Sequence, residues 1–263
     1  MKRKLLVFFL CLLFLVGCGR NASQKGITVA GSTSVQPFAD KWSEVYMEEH
    51  PGRVVNVQGG GSSAGIQAAL SGAADIGTSS RELKPEEKVL HEIVVARDGL
   101  AIIVHPSNLI NNLSIEQVKQ IFAGKIRNWE ELGGQNKNID VVTREEGSGT
   151  RGAFQELVMK KVRIFRGCIV EDSNGTVREI VSGDPYAIGY ISLGLVSEKV
   201  KAMNLDGVKA TDENIITKKY KLVRPFLFVT KDEPAGETKE FIDFVLSAEG
   251  QELIRKEGLI AAK

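Results

Sequence analysis

Four times in its first 150 residues the chain runs from a short apolar stretch into a cluster of small polar residues. The apolar stretches are residues 26–30, 54–58, 75–77 and 139–143. The clusters that follow are Gly31-Ser32-Thr33-Ser34, Gly59-Gly60-Gly61-Ser62-Ser63, Thr78-Ser79-Ser80-Arg81 and Gly147-Ser148-Gly149-Thr150. Helical patterns over residues 35–49, 64–71 and 151–161 follow the first, second and fourth. Strand, glycine-and-hydroxyl turn, helix is the repeating unit of an α/β sheet, and such sheets bind ligands beyond the carboxyl ends of their strands. The first N–H groups of a helix lack intrahelical partners and carry partial positive charge, so they attract anions. Glycine lets the backbone approach an anion closely. Serine and threonine add hydroxyl donors, and Arg144, three residues before the last cluster, adds a guanidinium fork. A serine or threonine at a helix start is also an ordinary N-cap. Each turn alone supports either reading; together they point to one anion pocket.

The alternation continues downstream. Residues 92–97, 100–104, 187–191 and 226–229 read as strands. Ser114 and Gln117 form a capping box for a helix over Ile115–Phe122. Two helices, 237–246 and 248–256, close the chain. Prolines after Val104-His105 and after Val223-Arg224 end extended runs. They divide the chain into a discontinuous lobe, residues 26–104 with 224–263, and a second lobe, residues 105–223.

Lys2, Arg3 and Lys4 precede an unbroken apolar run over residues 5–16. Twelve residues are too few to span a bilayer and suit a secretory signal. The run ends in Leu15-Val16-Gly17-Cys18, which resembles a bacterial lipobox. Residues 1–17 are therefore expected to be removed, Cys18 to carry lipid at the outer side of the cell membrane, and residues 18–25 to act as a tether. The whole chain has 34 basic and 33 acidic side chains, and losing the first three cations leaves a slight acidic excess. That balance supplies no field for nucleic acid. Cys168 is the one thiol outside the signal and anchor, so no intrachain disulfide is expected. His50, His91 and His105 are scattered, without metal-ligand spacing. No metal or other cofactor is expected. Thr150-Arg151 follows Gly149 where a Walker A loop needs lysine, and the first turn lacks the dinucleotide G-x-G-x-x-G.

Taken in order, the landmarks resemble a known family. They are Gly31-Ser32-Thr33-Ser34-Val35-Gln36-Pro37, Gln58-Gly59-Gly60-Gly61-Ser62-Ser63-Ala64-Gly65, Asp75-Ile76-Gly77-Thr78-Ser79-Ser80, Phe122-Ala123-Gly124-Lys125-Ile126-Arg127-Asn128-Trp129 and Arg144-Glu145-Glu146-Gly147-Ser148-Gly149-Thr150, with Ala187-Ile188-Gly189-Tyr190 also fitting. Over nearly its whole length past the signal, the chain is similar to the phosphate-binding proteins of bacterial high-affinity phosphate ABC importers. The resemblance implies a two-lobed, type II periplasmic-binding-protein fold of α/β class, each lobe a mixed sheet flanked by helices, closing on one anion. It implies a monomer that delivers inorganic phosphate to membrane permease and ATPase subunits. By the same resemblance Thr33, Ser34, Ser62, Ser80, Arg144, Ser148, Gly149 and Thr150 are the expected ligand positions, and Glu146 orients Arg144.

One position departs from the enteric pattern, which has aspartate where this chain has Ser80. A carboxylate accepts the proton of phosphate and repels sulfate; a hydroxyl cannot repel. Ser80 is thus either a contact or a residue just behind the contacts. Trp42 and Trp129 read as packing residues, Asp75 as a turn cap or a fold-stabilising residue, Cys168 as a small buried hydrophobe, and Asn174-Gly175-Thr176 as a further helix cap or, second, as part of the cleft lining. The rival readings are a receptor for sulfate or molybdate, and a hydrolase using Ser62 or Ser148 as nucleophile with an activating base or metal.

Overall fold

The computed structural model describes residues 26–262. The signal, Cys18 and tether expectations lie outside the described residues. The chain opens with strand β1 (Ile27–Gly31), whose Ile27, Val29 and Gly31 face inward in the period-two pattern of a strand. Helix α1 (Gln36–Glu49) follows, with Pro37 in its first turn, where no N–H is needed. Phe38, Trp42 and Tyr46 recur every four residues and form its buried stripe. Strand β2 (Val55–Gln58) and helix α2 (Ser62–Ser71) come next. Gly65 is where α2 meets the sheet: a Cβ there would lie 2.4 Å from the Ala30 carbonyl oxygen and 2.5 Å from the Gly31 α-carbon. Only glycine permits that approach.

Strand β3 (Ile76–Ser79) leads to β4 (His91–Val104), a single unbroken strand where the sequence suggested two. After the short β5 (Asn112–Leu113), the capping box is present: Gln117 N–H donates to Ser114 Oγ at 3.0 Å at the start of α3 (Ile115–Phe122). Strand β6 (Asp140–Arg144) enters the Gly147–Thr150 turn and α4 (Gly149–Phe154), which continues as one π-type turn over Gln155–Met159. Then come β7 (Ile169–Glu171), α5 (Asn174–Gly183), β8 (Ala187–Ser192), β9 (Lys201–Ala202), β10 (Asn204–Leu205) and α6 (Asp212–Ile216). The chain closes with β11 (Val223–Thr230), α7 (Gly236–Leu246), α8 (Ala248–Lys256) and β12 (Ile260–Ala261).

The main sheet runs β2-β1-β3-β11-β4-β8-β6-β7. In one half β2, β1 and β3 are parallel and β11 enters antiparallel between β3 and β4. In the other, β4 is antiparallel to β8, while β8, β6 and β7 are mutually parallel. β4 belongs to both halves. It pairs with β11 through Gly99 and with β8 from Leu100 to Val104. The chain therefore passes between halves inside β4, not after Val104, because the strand carries straight through. It returns at Val223, opposite Gly99.

Each half has its own core. Val29, Trp42, Phe228 and Phe241 gather in one, and the Trp42 indole N–H donates to the Gly250 carbonyl at 2.7 Å, fastening the C-terminal helices to the first half. Phe122, Trp129, Phe154 and Tyr190 gather in the other, with the Trp129 indole N–H on the Tyr186 carbonyl at 2.9 Å. Both tryptophans are buried packing residues. Thr28 N–H donates to Asp75 Oδ2 at 2.8 Å and Asp75 N–H donates back to the Thr28 carbonyl at 3.0 Å, so that aspartate ties the entry of β3 to β1 and caps no local turn. Burial raises the Cys168 thiol to about 12. No helix among the described residues is long and apolar enough to cross a membrane.

A candidate anion site between the lobes

The polar turns after β1, β2 and β3 lie side by side, because β1 is flanked by β2 and β3 in parallel. The turns after β6 and β7 lie side by side in the other half for the same reason. The two groups face each other, and their polar side chains are buried together: Ser34, Ser62, Ser80, Arg144, Ser148 and Thr150 are each at most 2 % exposed.

Of α1, α2 and α4, the helices that follow three of these turns, only α4 is capped by a hydroxyl of its turn. Ser148 Oγ accepts Arg151 N–H at 3.2 Å at the start of α4, worth about 1 kcal/mol. At α1 the cap position is Val35 and at α2 it is Gly61, held at φ 91°, and neither cap has a side-chain hydrogen bond. Thr33, Ser34 and Ser62 are thereby released from capping. Ser62 Oγ accepts Ser80 N–H at 3.1 Å, and Ser80 Oγ accepts the Ser32 hydroxyl at 2.9 Å. Ser34 Oγ lies 2.7 Å from Thr150 Oγ1 across the cleft. Gly149 sits against Ser62 and Ser80, where a Cβ would lie 2.1 Å and 2.6 Å from their hydroxyl oxygens. A second crossing bond runs from Ser63 N–H to the Gly147 carbonyl at 3.1 Å.

Arg144 is the cation that the second lobe's turns bring to this cluster and is 1 % exposed. Its Nη2 donates to Asp172 O at 2.7 Å and to Thr33 Oγ1 at 3.2 Å, and its Nε to Glu171 O at 3.1 Å. Its backbone is held as well: its N–H donates to the Tyr190 hydroxyl and its carbonyl accepts from Arg151. Burial pushes that tyrosine up to about 12, so it stays a neutral partner. The carboxylate beside the guanidinium is Glu145, at 3.1 Å; Glu146, expected to orient Arg144, is exposed. The turn points the first of two successive carboxylates inward and the second out. Arg144 Nη1 is buried with no hydrogen-bond partner.

Asp98 and Arg224 escaped the reading of the sequence, and of the two readings of Asn174 the structure favours the cleft over the cap. Asn174 is 1 % exposed; Ser173, not Asn174, caps α5, and the Asn174 amide donates to Ser34 Oγ at 2.9 Å and Thr33 Oγ1 at 3.3 Å. The signal was present, since β7, Ser173 and α5 repeat the strand, turn and helix unit. Arg224 on β11 donates from Nη2 to Ser34 Oγ and from Nη1 to Ser80 O, both at 3.2 Å. It pairs with Asp98 on β4 at 2.8 Å. Burial raises the Asp98 carboxyl, while Arg224, the Ser192 hydroxyl and the Gly194 N–H oppose that shift. No local pattern marks residues 98 and 224, because only strand register puts them opposite each other.

Among the described residues no group of three or more His, Cys, Asp or Glu side chains stands together as a metal site. A groove of about 940 Å³ lies elsewhere, lined by Arg97, Ile215, Tyr220, Arg255 and Ile260 among others. It contains none of the hydroxyls described above.

The arrangement is one of hydrogen-bond donors converging from two lobes. A family description, the PBP superfamily domain, matches residues 19–249. The phosphate-binding protein PstS of Bacillus subtilis is 36% identical over 241 residues, covering 90% of this chain and 80% of that one. This chain belongs to the PstS family of the PBP superfamily. The PstS of Borreliella burgdorferi is 31% identical over 273 residues, covering 98% of each chain. A crystal structure from Clostridium perfringens, described as a phosphate ABC transporter substrate-binding protein with bound phosphate, is 45% identical. It superposes with a TM-score of 0.88 and covers 90% of this chain and 100% of that one. The family fixes the fold as the two-lobed type II arrangement.

Proposed function

We propose that this chain is an extracytoplasmic solute-binding protein that captures inorganic phosphate between its lobes and hands it to the permease and ATPase subunits of an ABC importer. The observation that carries the reading is Arg144 Nη1, a buried cationic donor without a partner at the point where hydroxyls and helix N-termini converge. A buried, unpaired charged donor is costly, and a tetrahedral oxyanion satisfies it. In this reading Thr33, Ser34, Ser62, Ser80, Ser148, Gly149 and Thr150 supply the remaining donors, and the anion exchanges its water for their O–H and N–H groups as the lobes close about β4 and β11. About a dozen such bonds at ~1 kcal/mol net each support micromolar or tighter binding after ordering costs. Binding and release without chemistry are further supported by how the serines are engaged. Ser62 and Ser148 accept backbone N–H groups, and neither is paired with a histidine or carboxylate that would activate it. Acylation of Cys18 would hold this monomer near its permease, outside the cytoplasm.

Phosphate is preferred to sulfate in this reading. Calorimetric titration with both anions at pH 7 tests it: tighter binding of phosphate is expected, and equal affinities overturn it. A phosphatase assay with and without divalent metal is expected to be silent.

A further inference from the structure

Five buried side chains form a closed hydrogen-bonded ring between the hinge strands and the anion site. Arg224 Nη2 donates to Ser34 Oγ at 3.2 Å, and Arg224 Nε donates to Asp98 Oδ2 at 2.9 Å. The Ser192 hydroxyl donates to Asp98 Oδ1 at 2.9 Å, and Ser192 N–H donates to Asn174 Oδ1 at 3.2 Å. Asn174 Nδ2 returns to Ser34 Oγ at 2.9 Å. Each member is at most 3 % exposed. Because a backbone N–H faces Asn174 Oδ1, the orientation of that amide is fixed, and its nitrogen must face Ser34.

The ring dictates where the Ser34 proton goes. A hydroxyl oxygen has two lone pairs, and here both are met by groups that only donate, a guanidinium and an amide N–H. The Ser34 hydroxyl is left with one role, to donate, and it does so toward Thr150 Oγ1 at 2.7 Å. Thr33 Oγ1 is filled in the same way by Arg144 Nη2 and Asn174 Nδ2. The ring also spans the molecule. Ser34 belongs to the first lobe, Asn174 and Ser192 to the second, and Asp98 and Arg224 stand directly opposite each other on the two crossing strands.

We propose that the Asp98–Arg224 pair is a positioning element of the anion site, locking Ser34 as an outward hydroxyl donor and tying that donor to closure of the hinge. The proposal rests on the phosphate-binding reading above. A purely structural role for the pair would hold β4 to β11, and any effect of Arg224 on affinity would then be the same with or without the Ser34 hydroxyl. A positioning role makes the effect of Arg224 depend on the Ser34 hydroxyl, and a double-mutant cycle separates the two.

Phosphate affinity is measured by calorimetry on the full chain for Arg224→Lys, Ser34→Ala and the double variant, with thermal unfolding run alongside. Lysine keeps a cation opposite Asp98 but lacks the fork that reaches Ser34 and the Ser80 carbonyl. Arg224→Lys is expected to weaken phosphate on the order of tenfold when Ser34 is present and less than about twofold when it is alanine. Equal losses in both backgrounds overturn the proposal. Should Arg224→Lys fail to fold, Ser192→Ala supplies the same cycle from the far side of the ring. It removes one donor to Asp98, and roughly a threefold loss that vanishes with Ser34→Ala is expected. A loss that persists there overturns the proposal. Phosphate binding by the unaltered chain with additive variants removes the lock alone; no phosphate binding by the unaltered chain removes the functional reading and the lock with it.

Discussion

Replacing Arg144 by alanine is the most direct perturbation of the cleft. The guanidinium is 1 % exposed and gives hydrogen bonds to Thr33, Glu145, Glu171 O and Asp172 O, while Nη1 remains for an anion. Truncating one partner of a buried, hydrogen-bonded charge pair costs about 2–5 kcal/mol. At about 1.4 kcal/mol per tenfold, that weakens phosphate by roughly 30-fold to several thousandfold. The fold suffers less. The Glu171 and Asp172 carbonyls lose a donor, at about 1–3 kcal/mol, and water entering the volume vacated by the side chain offsets part of that loss. Calorimetric titration with phosphate at pH 7, beside a thermal melt, checks both parts. Arg144→Lys is expected to recover only part of the affinity, because one ammonium cannot serve the Asp172 carbonyl and the anion in the fork geometry of arginine. Arg144→Ala with native affinity and a native melt would refute the assignment of the anion to Nη1.

Three further outcomes follow from the same geometry. Gly149→Ala places a methyl against the Ser62 and Ser80 hydroxyls, an overpacking of about 1–3 kcal/mol that falls on closure, so phosphate affinity drops roughly 5- to 150-fold while the melt changes little. Ser80→Asp puts a carboxylate beside Ser32 and Ser62, and competition titration is expected to show sulfate binding falling more than phosphate binding. Glu87 is buried against Arg81, whose hydrogen bonds are the main cause holding its carboxyl below the usual range. A depressed carboxyl contributes stability above its unfolded value of about 4.3 and loses it as pH falls through the folded value. Melts taken from pH 5 downward are expected to show that loss, and Glu87→Gln to flatten it.

What could be read from the sequence was what local chemistry encodes. The strand, turn and helix units announced their places because alternating burial and glycine-hydroxyl turns leave a signature within a dozen residues. Helix α3 and its capping box were legible for the same reason. Boundaries slipped where tertiary contacts decide them: β4 runs unbroken through Asp98-Gly99, residues that look like a strand end, because β11 and β8 each pair with part of it. In the site, the glycine-hydroxyl turns gave the positions of the clustered hydroxyls. Whether Ser62 caps its helix or turns to Ser80 depends on a strand neighbour, and Asp98 opposite Arg224 depends on register across 126 residues. The choice of Glu145 over Glu146 was set by which way the turn after β6 rotates its side chains.

The place of β11 has a consequence for the order of synthesis. It is wedged between β3 and β4 of the first lobe, yet its residues 223–230 are made after the whole of the second lobe. Until they emerge, β3 and β4 have no neighbour between them and the first lobe's sheet is cut in two. The second lobe is complete in sequence by then, whereas the first waits for β11: at about 5–20 residues per second, Thr230 follows Ser79 by roughly 8–30 s. For that interval the hydroxyl turns of the first lobe are made but unassembled. A nascent chain of this topology is held out of its folded state by its own connectivity, with closure of the first lobe's sheet left to a strand made after the second lobe.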